Sequence, residues 1–408
     1  MSKWEWKKLG EVCEIHGRIG WQGLTRKEYR SSGDYLLITG INFTDNNTVD
    51  YESCVYVDKE RYVQDQYIQV RENDLLITKD GTLGKLALIA EMPPKPATLN
   101  GGLFVIRNPD NKIYPRFLMY VMKSEPFRKM IRKSITGSTV PHLTQNMLVN
   151  FPIPIPSLSE QRSIVKQLDE KLTKIEKIKT NAETNLKNAK ALYQKSLDKI
   201  IEDECRRYTL TSLKEITTKI GSGATPKGGK KSYQTEGISL IRSMNVLYGS
   251  FSYDNLAHIN EKQAKALDGV AIQCADVLFN ITGASIARCC VVPDDVIPAR
   301  VNQHVSILRP IQKVLNSDYL SVVLLASQNQ KKLLDIGEAG ATRQALTKGD
   351  LEVFPIPLPP LSVQKEIVVR LDKLSENVKR LEANYKQIIA NCDELKKTTL
   401  KQTFQGGN

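Results

Sequence analysis

FPIPIPSLSEQRSIVKQLD (residues 151–169) and FPIPLPPLSVQKEIVVRLD (residues 354–372) are two writings of one motif, identical at twelve of nineteen positions at an offset of 203. In each, a run of prolines forces the residues before them into extended geometry. A helical pattern then begins. Ser157-x-x-Glu160 has the form of a capping box, and Ser362 that of a plain N-cap. A stiff extended hinge therefore feeds a helix, and the chain does this twice.

The match continues upstream of the hinge. Leu9-Gly-Glu-Val12 answers Leu213-Lys-Glu-Ile216, Ile38–Asn42 answers Ile241–Asn245, and Asp74–Gly81 answers Asp276–Gly283. Asn100 and Arg107 answer Asn302 and Arg309, while Gly137, Thr139, Leu143 and Leu148 answer Gly340, Thr342, Leu346 and Leu351. The offset stays between 202 and 204 throughout, so a unit of half the 408 residues is duplicated in tandem. Within each unit, short β-branched and aromatic runs such as LFVIR and HVSILR sit between Gly, Pro, Asn and Asp, as strands do between loops. Two stretches, Pro115–Arg132 and Asp318–Leu334, read as helical.

Downstream of each hinge the pattern turns wholly helical. Ile367, Leu371, Leu374, Val378, Leu381, Tyr385, Ile388, Cys392 and Leu395 recur at alternating spacings of four and three, a heptad seam. Val165, Leu168, Leu172, Ile175, Ala182, Leu186, Ala189, Tyr193 and Ile200 follow the same rhythm, interrupted by Lys179 and Ser196. An apolar seam needs a partner. The helices could join two chains or pair within one, and two equal helices in a duplicated chain favour an intramolecular antiparallel coiled coil. The expected fold class is α+β: mixed α/β domains at 1–156 and 207–360, separated by helical spacers at 157–206 and 361–408, with pseudo-two-fold symmetry.

Composition excludes several classes. Apolar residues make up 41% and charged residues 25%, as in a globular protein with a core, and no run approaches the length of a membrane helix. The opening MSKWEWKKLGEV lacks the apolar centre of a signal peptide, so a cytoplasmic location is expected. Seven scattered cysteines, with no C-x-x-C, suit neither a disulfide framework nor structural zinc. The net charge of +13 points toward nucleic acid but is also compatible with an ordinary basic protein. Its distribution is more informative: residues 1–156 and 207–360 each carry a net +4. A partner touched by both globular parts, such as a duplex, accounts for that division.

Catalytic motifs are missing. The sequence has no phosphate loop, no Rossmann glycine fingerprint and no Asn/Asp-Pro-Pro-Tyr of an amino-methyltransferase. The four histidines include no pair at metal-ligand spacing, and His142 and His304 read as ordinary surface or core residues. The chain is thus expected to bind rather than catalyse, with no metal or cofactor of its own.

Three loops in each unit concentrate basic and polar groups. The first carries Arg18, Trp21, Arg26 and Lys27, answered by Thr225, Lys227, Lys230 and Lys231. The second carries Lys79 and Lys85, answered by Asn280 and Arg288. The third carries Thr139 and His142, answered by Thr342, Arg343 and Gln344; Thr139 and Thr342 read equally as helix caps. Arg242 joins the set. Glycines admit a phosphate closely, Lys and Arg attract it, and Arg and Gln can pair with base edges. The loop positions recur while their residues differ, as two readers of different base sequences require.

The Leu-Gly-Glu-Val opening, the Asp-Leu-Leu…Gly turn and the Pro-Ile-Pro-x-Leu-Ser-x-Gln block ahead of a long helix resemble the specificity subunit of type I restriction-modification systems. The resemblance covers both copies and extends to the terminal Thr399–Gly406. It implies two target-recognition domains reading a split asymmetric DNA site, and an antiparallel coiled coil that sets the spacer and docks methyltransferase (modification) subunits. Restriction/translocase subunits complete the implied complex, with S-adenosylmethionine, ATP and Mg²⁺ on the partners. The competing expectation is a protein-interaction scaffold that never touches DNA.

Overall fold

The computed structural model describes residues 4–18, 23–135, 142–226, 228–338 and 344–405. They form two compact units, one of Met1–Ala182 with Gln387–Asn408, the other of Glu183–Lys386. The division falls inside the two long helices, so each unit holds a share of both.

In the first unit, β1 (Glu5–Lys8) pairs antiparallel with β9 (Pro152–Ile155), which is the hinge itself. Four strands, β2 (Glu14–His16), β5 (Leu75–Thr78), β6 (Leu86–Leu88) and β8 (Leu103–Arg107), make an antiparallel sheet in the order β2-β8-β5-β6. Three more, β3 (Tyr35–Ile38), β4 (Val55–Val57) and β7 (Ala97–Leu99), make a second sheet in which β3 and β7 run parallel. The central strands β5 and β8 are buried along their whole length because both their faces are covered. Alternate residues face opposite cores: Leu75, Ile77, Phe104 and Ile106 join the helical layer, while Leu76, Leu103 and Val105 join the small sheet. The helices are α1 (Lys59–Val63), α2 (Pro115–Met122), α3 (Glu125–Ile135), α4 (Gln145–Val149) and the long α5 (Leu158–Arg207).

The second unit repeats the topology. β10 (Leu210–Ser212) pairs with β18 (Pro355–Pro357). β11 (Thr217–Ser222), β14 (Val277–Asn280), β15 (Cys289–Val291) and β17 (Val305–Pro310) form the order β11-β17-β14-β15, and β12 (Ile238–Ile241), β13 (Ala257–Ile259) and β16 (Ala299–Val301) form the small sheet, with β12 and β16 parallel. Its helices are α6 (Leu213–Ile216), α7 (Glu261–Ala266), α8 (Ser317–Leu325), α9 (Ser327–Glu338), α10 (Lys348–Glu352) and the long α11 (Leu361–Gln405).

Two departures from expectation have local causes. Each mid-domain helical stretch is two helices. In the first unit Pro126, which cannot donate to the preceding turn, sits at the start of α3; in the second, Ala326 is extended. The cap assignments also shift. Ser157 accepts from the Glu160 amide (3.3 Å), but the Glu160 carboxylate takes the Trp4 indole N–H (2.9 Å) instead of closing a box. Ser362 lies inside the first turn of α11, whose first bonds are accepted by Pro360.

The repeated glutamine of the hinge motif has a defined task. Gln161, fully buried, accepts from the Tyr114 amide (2.7 Å) and donates to the Pro156 and Lys112 carbonyls (2.9 and 3.2 Å). Gln364 does the same with Asn316, Pro359 and Val314 (2.8, 2.8 and 2.9 Å). Each fastens the start of a long helix to the globular layer behind it.

The long helices pack on each other within the chain. In the first unit Lys179 bonds Asp393 (2.6 Å) and Glu176 pairs with Lys396, an antiparallel register, and Leu400 and Phe404 of α11 share a core with Val165 and Leu168 of α5. The Lys179 that interrupts the seam is therefore an interhelical ion pair. In the second unit Leu197 and Ile201 of α5 share a core with Ile367 and Leu371 of α11. The α11 seam is only half covered: Val378 and Cys392 are buried, while Leu381, Ile388 and Leu395 are exposed.

Candidate nucleic-acid interface

The parallel pairing inside each small sheet gathers several loops at one edge. In the first unit the Asn100 amide donates to Ile38 O (3.0 Å), Lys79 N to Gly102 O (2.9 Å) and Leu143 N to Lys79 O (3.1 Å). These bonds tie together the loops that follow β3 and β5, precede β8 and precede α4. In the second unit the equivalent bonds are Asn302 N to Ile241 O (3.0 Å), Ile281 N to His304 O (3.0 Å) and Leu346 N to Ile281 O (2.8 Å). The loop after β2 joins the first set through Arg18, and the loop after β11 joins the second through Gly223 N to Asn302 O (3.1 Å). Gly223 has no room for a side chain, since a Cβ there would lie 1.7 Å from the Val301 carbonyl oxygen. Gly81 and Gly283 hold the left-handed turn of the second loop at φ +69° and +70°.

In the first unit the gathered loops line a recess containing Arg18, Gly23, Lys79, Asp80, Gly101, Phe104 and His142. Lys79 Nζ lies 4.7 Å from the centre of the Phe104 ring, and His142 Nδ1 is 2.5 Å from Asp80 Oδ1. Arg18 is 3% exposed; its Nε donates to Leu99 O (3.0 Å) and Nη2 to Thr98 Oγ1 (3.2 Å). Burial lowers its pKa, and Nη1 has no partner among the described residues. Arg18 is thus a buried structural clamp at the wall of the recess, rather than a loop cation offered to solvent. Arg26 and Lys27 stand exposed on a turn braced by Thr25 and Glu28. The Glu28 carboxyl is drawn down to about 2 by hydrogen bonds from Thr25 and Arg61.

In the second unit the same edge carries a polar chain: Thr225 bonds Gln303, Gln303 Nε2 meets His304 Nε2 (3.0 Å), and His304 Nδ1 meets Thr282 Oγ1 (2.6 Å). Gln344 gives its carbonyl to the Gly283 amide (3.2 Å) and its side-chain amide to Glu338 (2.9 Å). Arg242 lies over the Tyr233 ring (5.4 Å).

Other candidates do not offer their side chains at the edge. Asn280 is 0% exposed and donates to Ser243 O (2.9 Å) and Val246 O (3.3 Å), so it braces the turn after β12 instead of offering an amide outward. Lys85 and Arg288 stand at the far end of their hairpin loops, Lys85 beside Lys123 and Arg128, and Arg288 over the Tyr248 ring (5.3 Å). Trp21, Thr139, Lys227, Thr342 and Arg343 lie outside the described residues, as do the side chains of Lys230 and Lys231. The caps of α4 and α10 are Thr144 and Thr347. Gln303 and His304 were not among the sequence candidates; the repeated Asn100/Asn302 that opens their loop was the available signal.

The sequence profile of the type I restriction modification DNA specificity domain matches residues 1–187 and again 206–390. The chain belongs to that family. Its two specificity domains correspond to the two halves of the repeat. The type I restriction enzyme EcoBI specificity subunit of Escherichia coli is 24% identical over 362 residues, covering 83% of this chain and 74% of that protein. The EcoKI specificity subunit of Escherichia coli strain K12 is 20% identical over 413 residues, covering 94% and 86%. The fold matches the crystal structure of the HsdS subunit from Thermoanaerobacter tengcongensis with a TM-score of 0.64 at 20% identity, over 100% of this chain and 98% of that one. It also matches a chain from a study of assembly and conformational transition in the type I system, with a TM-score of 0.71 at 21% identity, over 100% and 99%. Among the described residues no helix is long and apolar enough to cross a membrane, and no cluster of His, Cys, Asp and Glu could hold a metal ion.

Proposed function

We propose that this specificity protein reads a bipartite, asymmetric DNA site, each unit contacting one half through its gathered loop edge. One observation carries the reading: the same three backbone bonds assemble the edge in both units, yet the side chains displayed there differ. A shared frame with Lys79, Asp80 and His142 on one copy and Thr225, Gln303 and His304 on the other suits two different half-sites.

The paired long helices set the length of unread DNA between the half-sites as a coiled coil. Their exposed apolar residues, Ile178, Ile388 and Leu395 among them, offer docking area for methyltransferase subunits, and restriction/translocase subunits join through those. The chain itself performs no chemistry; S-adenosylmethionine, ATP and Mg²⁺ belong to the partners. Functional boundaries at 156, 206 and 360 place recognition in residues 1–156 and 207–360, and spacing in the helices. The protein works inside the cell, where its DNA is.

Footprinting of the assembled methyltransferase complex tests this. Two protected blocks about one helical turn apart, of unlike sequence, are expected. A single palindromic footprint overturns the bipartite reading. Complete absence of salt-dependent duplex binding by the chain with its methyltransferase favours the scaffold instead.

A further inference from the structure

The turn after the first strand of each small sheet presents an apolar side chain to solvent. In the first unit it is Gly40-Ile41-Asn42, with Ile41 88% exposed; in the second it is Ser243-Met244-Asn245, with Met244 45% exposed. Single exposed apolar residues are ordinary. This one recurs at the same point of two otherwise divergent loops, and the turn beneath it is heavily braced.

Asn42 is buried, and its Oδ1 accepts from both the amide and hydroxyl of Thr39 (2.8 Å each), while its Nδ2 donates to Ser53 O (3.0 Å). Asn245, also buried, accepts from the Arg242 amide (3.1 Å) and donates to Ser252 O (2.9 Å) and Asp254 O (3.2 Å). Each turn is also anchored to the second loop of the reading edge. A Cβ at Gly40 would come within 2.9 Å of the Thr78 methyl, and Asn280 donates to the carbonyls on both sides of Met244–Asn245. The sequence thus places a buried, hydrogen-bonded asparagine in each copy to hold a turn that carries an exposed apolar side chain. An apolar side chain held this way among polar loops suits insertion between stacked bases, where Ile and Met serve elsewhere as wedges that partly unstack a step and kink the duplex.

We propose that Ile41 and Met244 are paired DNA wedges, each entering a base step at its own half-site. The proposal rests on the DNA-reading role above. Its ligand is the apolar face of a base pair in duplex DNA, and its contribution is deformation of the helix, a form of readout separate from hydrogen bonds to base edges.

The test uses the full chain assembled with its methyltransferase subunits and a short duplex, labelled at both ends for energy transfer, that carries the site mapped by methylation in a genome encoding the complete system. The wild-type complex is expected to shorten the end-to-end distance relative to free duplex. Ile41→Ala and Met244→Ala each restore part of that distance, the double variant restores most of it, and each single change weakens binding about tenfold through lost apolar burial. Ile41→Met and Met244→Leu retain the bend. Both side chains are exposed, so the alanine variants leave the core untouched, which circular dichroism of the complexes checks. Wild-type binding without bending, or alanine variants with wild-type bend and affinity, overturns the wedge and leaves DNA reading intact. Failure of the wild-type complex to bind the mapped duplex removes the DNA reading and the wedge together.

Discussion

At the scale of single residues, the duplication preserves a buried ion pair. Arg107 forks onto Asp74 with bonds of 2.8 and 2.7 Å and also donates to Gln69 O (2.9 Å). Arg309 forks onto Asp276 at 2.7 and 2.8 Å and donates to Ala271 O (2.9 Å). Both aspartates are fully buried. Each pair crosses between β5 and β8, or β14 and β17, and ties the loop ahead of the strand to the sheet. Removing one partner strands a charge in the interior, which costs about 3–5 kcal/mol. Asp74→Ala is therefore expected to lower the stability of the first unit by that amount in urea melts, while Asp74→Leu with Arg107→Met recovers much of the loss. A near-neutral Asp74→Ala would show that the pair is dispensable. These four residues were legible as repeats, because Asp74 and Arg107 recur as Asp276 and Arg309, but nothing in the spacing showed that they meet. Arg18 was legible as a cation and illegible as a clamp, since its carbonyl partner at Leu99 is set by the pairing of distant strands. Asn280 was misplaced for the same reason: a polar residue in a loop looks outward until the turn it braces is known.

At the scale of elements, the hinge shows why the helices could be read so well and their caps so poorly. Apolar periodicity over 50 and 45 residues leaves no other structure for α5 and α11. The exact first turn depends on neighbours such as Trp4, which draws Glu160 away from the cap. The glutamine of the hinge motif is the element-scale joint. Gln161→Leu leaves the Tyr114 amide and the Pro156 and Lys112 carbonyls without their side-chain partner, and a loss of about 1–3 kcal/mol is expected on denaturant titration. The same change at Gln364 is expected to match it in the second unit. A loss confined to helix content, with the globular transition unmoved, contradicts a joint between the two layers. The short elements were harder to delimit: the buried strands lack alternation, and the split between α2 and α3 turns on one proline.

At the scale of the whole molecule, each unit carries a complete frame for its loop edge, down to the repeated backbone bonds between Lys79, Gly102 and Leu143 or their counterparts. Exchanging the reading edge of one unit for that of a relative is therefore expected to change one half of the methylated site and leave the other half and the spacing unaltered, as methylation mapping will report. A change in both halves contradicts independent frames. The make-up of each loop edge was not legible in the sequence, because its side chains are gathered from five loops and some, such as Arg18 and Asn280, are committed to internal bonds. The pairing of β1 with β9, and of β10 with β18, has a consequence for inheritance. Each segment between the paired strands leaves its frame beside the place where it entered. A recombination event can then replace everything between the two ends and still deliver the chain to the same starting point of the next helix. The stretch between the two ends is thus exchangeable as a cassette, with the start of the long helix that follows left unchanged.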